Sequence, residues 1–153
     1  MAVGSMRVYD EAIEAMLGGG LGNLASVTIF AALLGSGYTP DLAEHDTWSD
    51  VSTQEITGGD YARQALGSKA ITDVAGGARF TSAAVDWGAT VTIPACKYCV
   101  LVIGNPASPQ ASDKLLAICD LNDTNGTATV SATNGAFSLT PSATGWFENK
   151  RTA

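Results

Sequence analysis

The eight residues at 27–34, VTIFAALL, constrain this chain more than any other stretch. Both parities are apolar, with Val27, Ile29, Ala31 and Leu33 on one and Phe30, Ala32 and Leu34 on the other. A strand of this kind needs protein against both of its faces. A helix would also bury it, but Val27, Thr28 and Ile29 are β-branched and favour extended backbone. The run halts at Gly35-Ser36-Gly37 and enters Tyr38-Thr39-Pro40-Asp41, whose Pro and Asp are turn formers. A central buried strand followed by a structured loop is the expected organising element.

Two more apolar runs, KYCVLVI at 97–103 and KLLAICDL at 114–121, read as strands of the same buried kind. Weaker strands are expected at 51–57 and 61–66, in a hairpin of 70–74 with 78–82 through Gly76-Gly77, and at 84–87 and 90–93 around Gly88. Pro94 should close that last segment. Asn125-Gly126 and Asn134-Gly135 bracket an alternating segment at 127–133, and Asn-Gly favours tight hairpin turns because both residues tolerate positive φ. Strands at 114–121, 127–133 and 136–140 should therefore form a meander.

Val8, Ala12, Ile13, Met16 and Leu17 recur at helical spacing, with Asp10, Glu11 and Glu14 opposite, so the pattern predicts one amphipathic helix over 5–17. Gly18-Gly19-Gly20 supplies its stop. The segment 39–52 reads as a loop with one helical turn at 42–45. About eight or nine strands without βαβ alternation indicate a mainly β chain, an antiparallel β-sandwich or jelly-roll-like domain with one short amino-terminal α-helix. Residues 1–22 would form an arm and helix, and residues 23–153 a single sandwich domain.

A length of 153 residues suits one domain with a core of its own. With 15 acidic and 8 basic residues, the net charge of −7 argues against nucleic acid or an anionic membrane as partner. No segment approaches the roughly 18 to 20 apolar residues of a membrane-crossing helix. The first residues carry acids where an export signal would carry a basic and then an apolar region, so synthesis and residence in a cytoplasm are expected. Three cysteines are an odd set, best read as buried free thiols.

None of the motifs that could carry chemistry has the right setting. Cys96-Lys97-Tyr98-Cys99 has CxxC spacing, but residues three apart on a strand point to opposite faces and cannot share a metal. The oxygen-rich segment 120–126 departs from calcium-loop spacing, with its glycine one place late and Ser131 where a bidentate Glu would be needed. His45, the sole histidine, lies between Glu44 and Asp46 without a nucleophile placed for a triad. The glycines at 18–22 follow a helix where a phosphate cradle would precede one. Trp48, Trp87 and Trp146 are too widely spaced to suggest a carbohydrate platform and read as core or subunit contact. No catalytic residue, metal site or cofactor is expected.

The order YDEAIEAML, then TIFAALLGSGYTPDLAEHDTWSDV, then QEITGGDYARQAL and VDWGATVTIPACKYCVLVIG resembles a family of small tailed-bacteriophage virion proteins, over residues 9–139. The sequence departs from that pattern at Gly58-Gly59-Asp60-Tyr61 and in the cysteines of CKYC. The resemblance implies a non-enzymatic head decoration or cement protein on the capsid surface of the virion, made in the host cytoplasm. Its partners would be the major capsid protein and copies of itself, as a trimer, with no nucleic acid or membrane. A tail, neck or fibre-associated component is the alternative, and a carbohydrate-binding module a more distant one. Cement proteins gain affinity by repeating a modest interface over a symmetric shell. Candidate contacts are Met6, Arg7, Val8 and Tyr9 in the arm, Tyr38, Pro40, His45 and Trp48 in the loop, and Trp146, Phe147, Lys150 and Arg151 in the tail.

Overall fold

The structure, a computed structural model, describes residues 1, 3, 6–122 and 128–151. The apolar runs form its centre. Strands β1 (Arg7–Val8), β2 (Ile29–Leu34), β3 (Gln64–Ala65), β7 (Tyr98–Ile103) and β8 (Lys114–Asp120) make a five-stranded sheet in the order β1-β8-β7-β2-β3. All six residues of β2 are buried, as both-parity apolarity requires. Its register with β7 is continuous, Ile29 opposite Ile103 through Leu34 opposite Tyr98.

Strands β4 (Ala70–Val74), β5 (Gly77–Thr81) and β10 (Phe147–Lys150) form a second sheet, ordered β10-β5-β4, and β6 (Val85–Cys96) pairs with β9 (Val130–Leu139) in a third. Every pairing is antiparallel. The chain is mainly β, a sandwich-like domain. One apolar cluster runs through it from Val3 and Met6 to Trp146 and Phe147, so the amino-terminal segment shares the core of the sheets.

Helix α1 (Asp10–Leu17) is shorter than the periodicity over 5–17 predicts, because Arg7 and Val8 are extended and pair with Ile118 and Ala117 of β8. The second helix, α2 (Trp48–Val51), and a 3-10 turn at Ser52–Gln54 replace the loop end and the strand expected at 51–57. Thr47 starts α2 with a capping box in which the Asp50 carboxylate accepts the Thr47 N–H at 2.8 Å and the Thr47 hydroxyl at 3.1 Å, while the Asp50 N–H donates to the Thr47 carbonyl at 3.0 Å. That local bonding outweighs the β propensity of Val51 and Thr53. Gly59, read as the end of a strand, is instead a point of close approach. A Cβ there would lie 2.2 Å from the Thr92 carbonyl oxygen, which accepts the Asp60 N–H.

The expected meander does not form. The strand that includes Asn134 and Gly135 pairs with β6, not β8, and Asn134 sits inside β9 with φ 48°. Asn-Gly favours positive φ, which a bulge uses as readily as a turn. The register shifts between β6 and β9 absorb the extra residues. Asn125-Gly126 lies outside the described residues. Strand β6 runs through Gly88 and Pro94, where two segments closed by the proline were expected; its membership of a two-stranded sheet allows a residue that cannot donate.

Candidate interaction surface at the chain ends

The two ends of the chain meet. The amino-terminal arm runs beside β9 and β10: Met1 donates its ammonium to the Ser138 carbonyl at 2.7 Å, Val3 N–H bonds Thr140, and Met6 N–H bonds Trp146 at 2.6 Å. Arg7 and Val8 then join β8. These bonds fix α1 beside β10. A groove of about 200 Å3 lies between them, lined by Val8, Ile13, Met16, Phe147, Glu148 and Lys150.

Helix α1 buries Ala12 and half-buries Ala15 and Met16, leaving Ile13 43% and Leu17 82% exposed beside the groove. Asp10 and Glu14 accompany them on the exposed side of the helix. Across the groove, Glu148 is gripped by Lys150 at 2.5 Å and Arg79 at 2.8 Å, and these bonds, that of Lys150 foremost, hold its carboxyl below the usual range. The result is an apolar ridge with a charged rim.

The candidate contacts divide by burial. Met6, Tyr9, Tyr38, Trp48, Trp146 and Phe147 are core residues, the last 6% exposed and the others 5% or less. Their aromatic and apolar side chains hold the termini and the loop onto the sheets instead of facing outward. Trp146 donates its indole N–H to Ser82 Oγ at 2.9 Å, and Trp48 meets Phe30 edge-on. Arg7, Lys150 and Arg151 are exposed, and Val8, Pro40 and His45 half-buried. Ile13 and Leu17, assigned to the buried face of the helix by periodicity, are the exposed apolar residues that sequence reasoning missed. Spacing cannot tell which of two apolar stripes turns inward.

His45 anchors the loop that follows β2. Tyr38 Oη lies 2.7 Å from His45 Nδ1 and 3.2 Å from Tyr9 Oη, and the Tyr38 ring stacks on the imidazole. The Asp41 N–H also points at Nδ1, at 3.4 Å, so this nitrogen serves as acceptor. Burial raises both tyrosine hydroxyls, which stay protonated as the donors this chain needs. The relay ties α1 to the loop through Tyr9.

A second cleft, of about 450 Å3, is lined by Glu55, Thr57, Gly58, Tyr61, Arg63 and Pro106 among others. Its charges are bonded to one another. Arg63 Nη2 meets Glu55 Oε2 at 2.6 Å, Arg63 Nη1 donates to the Pro106 carbonyl at 3.2 Å, and Tyr61 donates to Glu55 Oε1 at 2.7 Å. Tyr61 Oη in turn accepts the Leu33 N–H at 3.1 Å, capping the open side of β2. The guanidinium sits 5.2 Å from the Trp48 ring centre. This is a brace between β2 and the loops beside it.

Cys96, Cys99 and Cys119 are buried free thiols. Cys99 faces Cys119 across β7 and β8; their mutual hydrogen bond, then burial, raises the Cys99 thiol. Burial pushes Cys96 up to about 12. Lys97, 5% exposed, lies 2.8 Å from Asp120 Oδ2 as an ion pair without hydrogen-bond geometry. Among the described residues, no three His, Cys, Asp or Glu side chains are placed to hold a metal, and no helix is long and apolar enough to cross a membrane. No family model, curated protein or solved structure matches the chain.

Proposed function

We propose that this chain is a non-enzymatic structural protein of a tailed-phage virion, a decoration or cement protein that binds the major capsid protein on the outside of the head as a homo-oligomer, a trimer. The motif resemblance suggests the class. The observation that carries the reading is the surface at the chain ends, where Ile13 and Leu17 stand exposed beside the groove between α1 and β10. Apolar side chains rimmed by charge gain free energy when a partner removes them from water. The arm, the tail and the His45 loop serve to hold that surface rigid, which lowers the cost of ordering it on binding.

Quantitative mass spectrometry of purified particles tests the reading, counting this chain against the major capsid protein. A ratio near one to one, or a simple fraction set by shell symmetry, supports decoration of the head. A few copies per particle would move the protein to the tail or neck, and absence would overturn the virion role. Paired replacement of Ile13 and Leu17 by Asp should leave the circular dichroism unchanged and remove the protein from heads. Full retention on heads would show that another surface binds.

A further inference from the structure

Strand β4 ends the three-stranded sheet, and among the described residues no backbone group of another element bonds its outer side. The direction of its free groups follows from register. Val74 pairs with Gly77 across the two-residue loop Ala75-Gly76, so this pair must exchange its own backbone bonds; the alternative would have adjacent residues bonding each other. Counting back by twos, Thr72 and Ala70 also direct their N–H and C=O groups at β5. Ile71 and Asp73 therefore direct theirs away from the sheet.

The same parity puts Ile71 and Asp73 on one face, and Lys69 directly precedes the strand, two residues before Ile71. Ile71 is 49% exposed, and Thr72 and Asp73 are exposed with it. Solvent-facing edges are usually kept from strand addition by short length, a proline, a bulge or charged side chains, and the charges here, Lys69 and Asp73, are of opposite sign. β4 has no proline, and its register with β5 is unbroken. Asp73 has no ion-pair partner among the described residues, and Lys69 makes only a 3.4 Å contact with the Leu66 carbonyl.

Laid antiparallel on a copy of itself with Ile71 opposite Ile71, the segment Lys69-Ala70-Ile71-Thr72-Asp73 places Lys69 opposite Asp73 at both ends. Sliding by two residues in either direction breaks both charge pairs and sets Ile71 against a charge. We propose that β4 is a self-association edge, through which two copies pair about a two-fold axis at Ile71 and join their three-stranded sheets into one. The occupant is a second copy because this strand is its own electrostatic complement. The contact does not depend on the virion role. In a trimeric protein it would link one trimer to another.

Sedimentation of the full chain across concentration tests this. The wild type should double in mass as concentration rises, from monomer to dimer or from trimer to hexamer. Ile71→Pro removes an N–H that faces outward and leaves the β4–β5 bonds in place, so it should abolish doubling without changing the circular dichroism. Asp73→Lys and Lys69→Asp each set like charges opposite one another and should weaken doubling roughly tenfold. Mixing these two variants should restore it, since each chain then carries one sign and every cross-strand pair is again opposite. This mixture decides the matter even where Ile71→Pro fails to fold. A wild type that stays at the monomer or trimer mass at every concentration, doubling that survives Ile71→Pro, or a mixture no stronger than its parts overturns the proposal.

Discussion

β2 and β4 are both short antiparallel strands containing isoleucine, yet all of β2 is buried and none of β4 is. β2 lies between β7 and β3, and where β3 ends its open side is covered by the Ile56 N–H, which bonds Leu33, and by the Tyr61 hydroxyl. Among the described residues β4 has one neighbour, β5. A strand's burial is thus decided by what the rest of the chain brings to its edges and faces. β2 is enclosed on both sides, whereas β4 leaves side chains and one row of backbone groups open to solvent.

The largest test of this contrast lies in β2. Phe30 is fully buried against Trp48, and Phe30→Ala should lower the unfolding free energy by about 3–5 kcal/mol, read as a fall in the denaturant midpoint. A loss under 1 kcal/mol would mean that β2 is not the centre of the core. Next is the brace at its edge. Glu55→Ala removes the carboxylate partner of the Arg63 guanidinium and leaves Tyr61 without its acceptor, at a cost of about 1–3 kcal/mol by the same measurement.

The capping box of α2 comes third and adds a pH dependence. Burial pushes the Asp50 carboxyl up, but bonds from the Thr47 N–H, the Asp46 N–H and the Thr47 hydroxyl outweigh it and leave it below its ordinary value of 3.8. A carboxyl lowered by folding stabilises above its unfolded pKa and loses that contribution as pH falls through the folded one. Asp50→Asn should therefore cost less than about 1 kcal/mol at neutral pH, since the exposed carboxylate is screened by solvent, with the difference from wild type vanishing below that lowered value. A difference that persists in strong acid would assign the effect to packing. The smallest change is expected in β4, where Ile71→Thr should alter the stability of the isolated chain by no more than about 0.5 kcal/mol. A larger loss would show that Ile71 already has a partner within its own chain.

The strands at 97–103 and 114–121 and the hairpin from 70 were legible because strand periodicity and turn chemistry are local. So was the two-sided burial of β2. The surface at the chain ends was only half legible. Its segments could be named, yet Tyr9, Trp146 and Phe147 turned out to be the anchors, while Ile13 and Leu17 form the exposed ridge. One apolar stripe looks like another until a sheet lies beneath it.

By itself the sequence determined a mainly antiparallel chain with a buried central strand, because apolar parity and glycine punctuation act over a few residues. Tertiary structure alone decided that Asn134-Gly135 is a bulge in β9, that Gly59 lies against Thr92, and that the two ends of the chain share one face. The reason is physical. A positive φ, a missing Cβ or an exposed methyl group is a permission that several structures can use, and only the long-range pairing of strands selects among them.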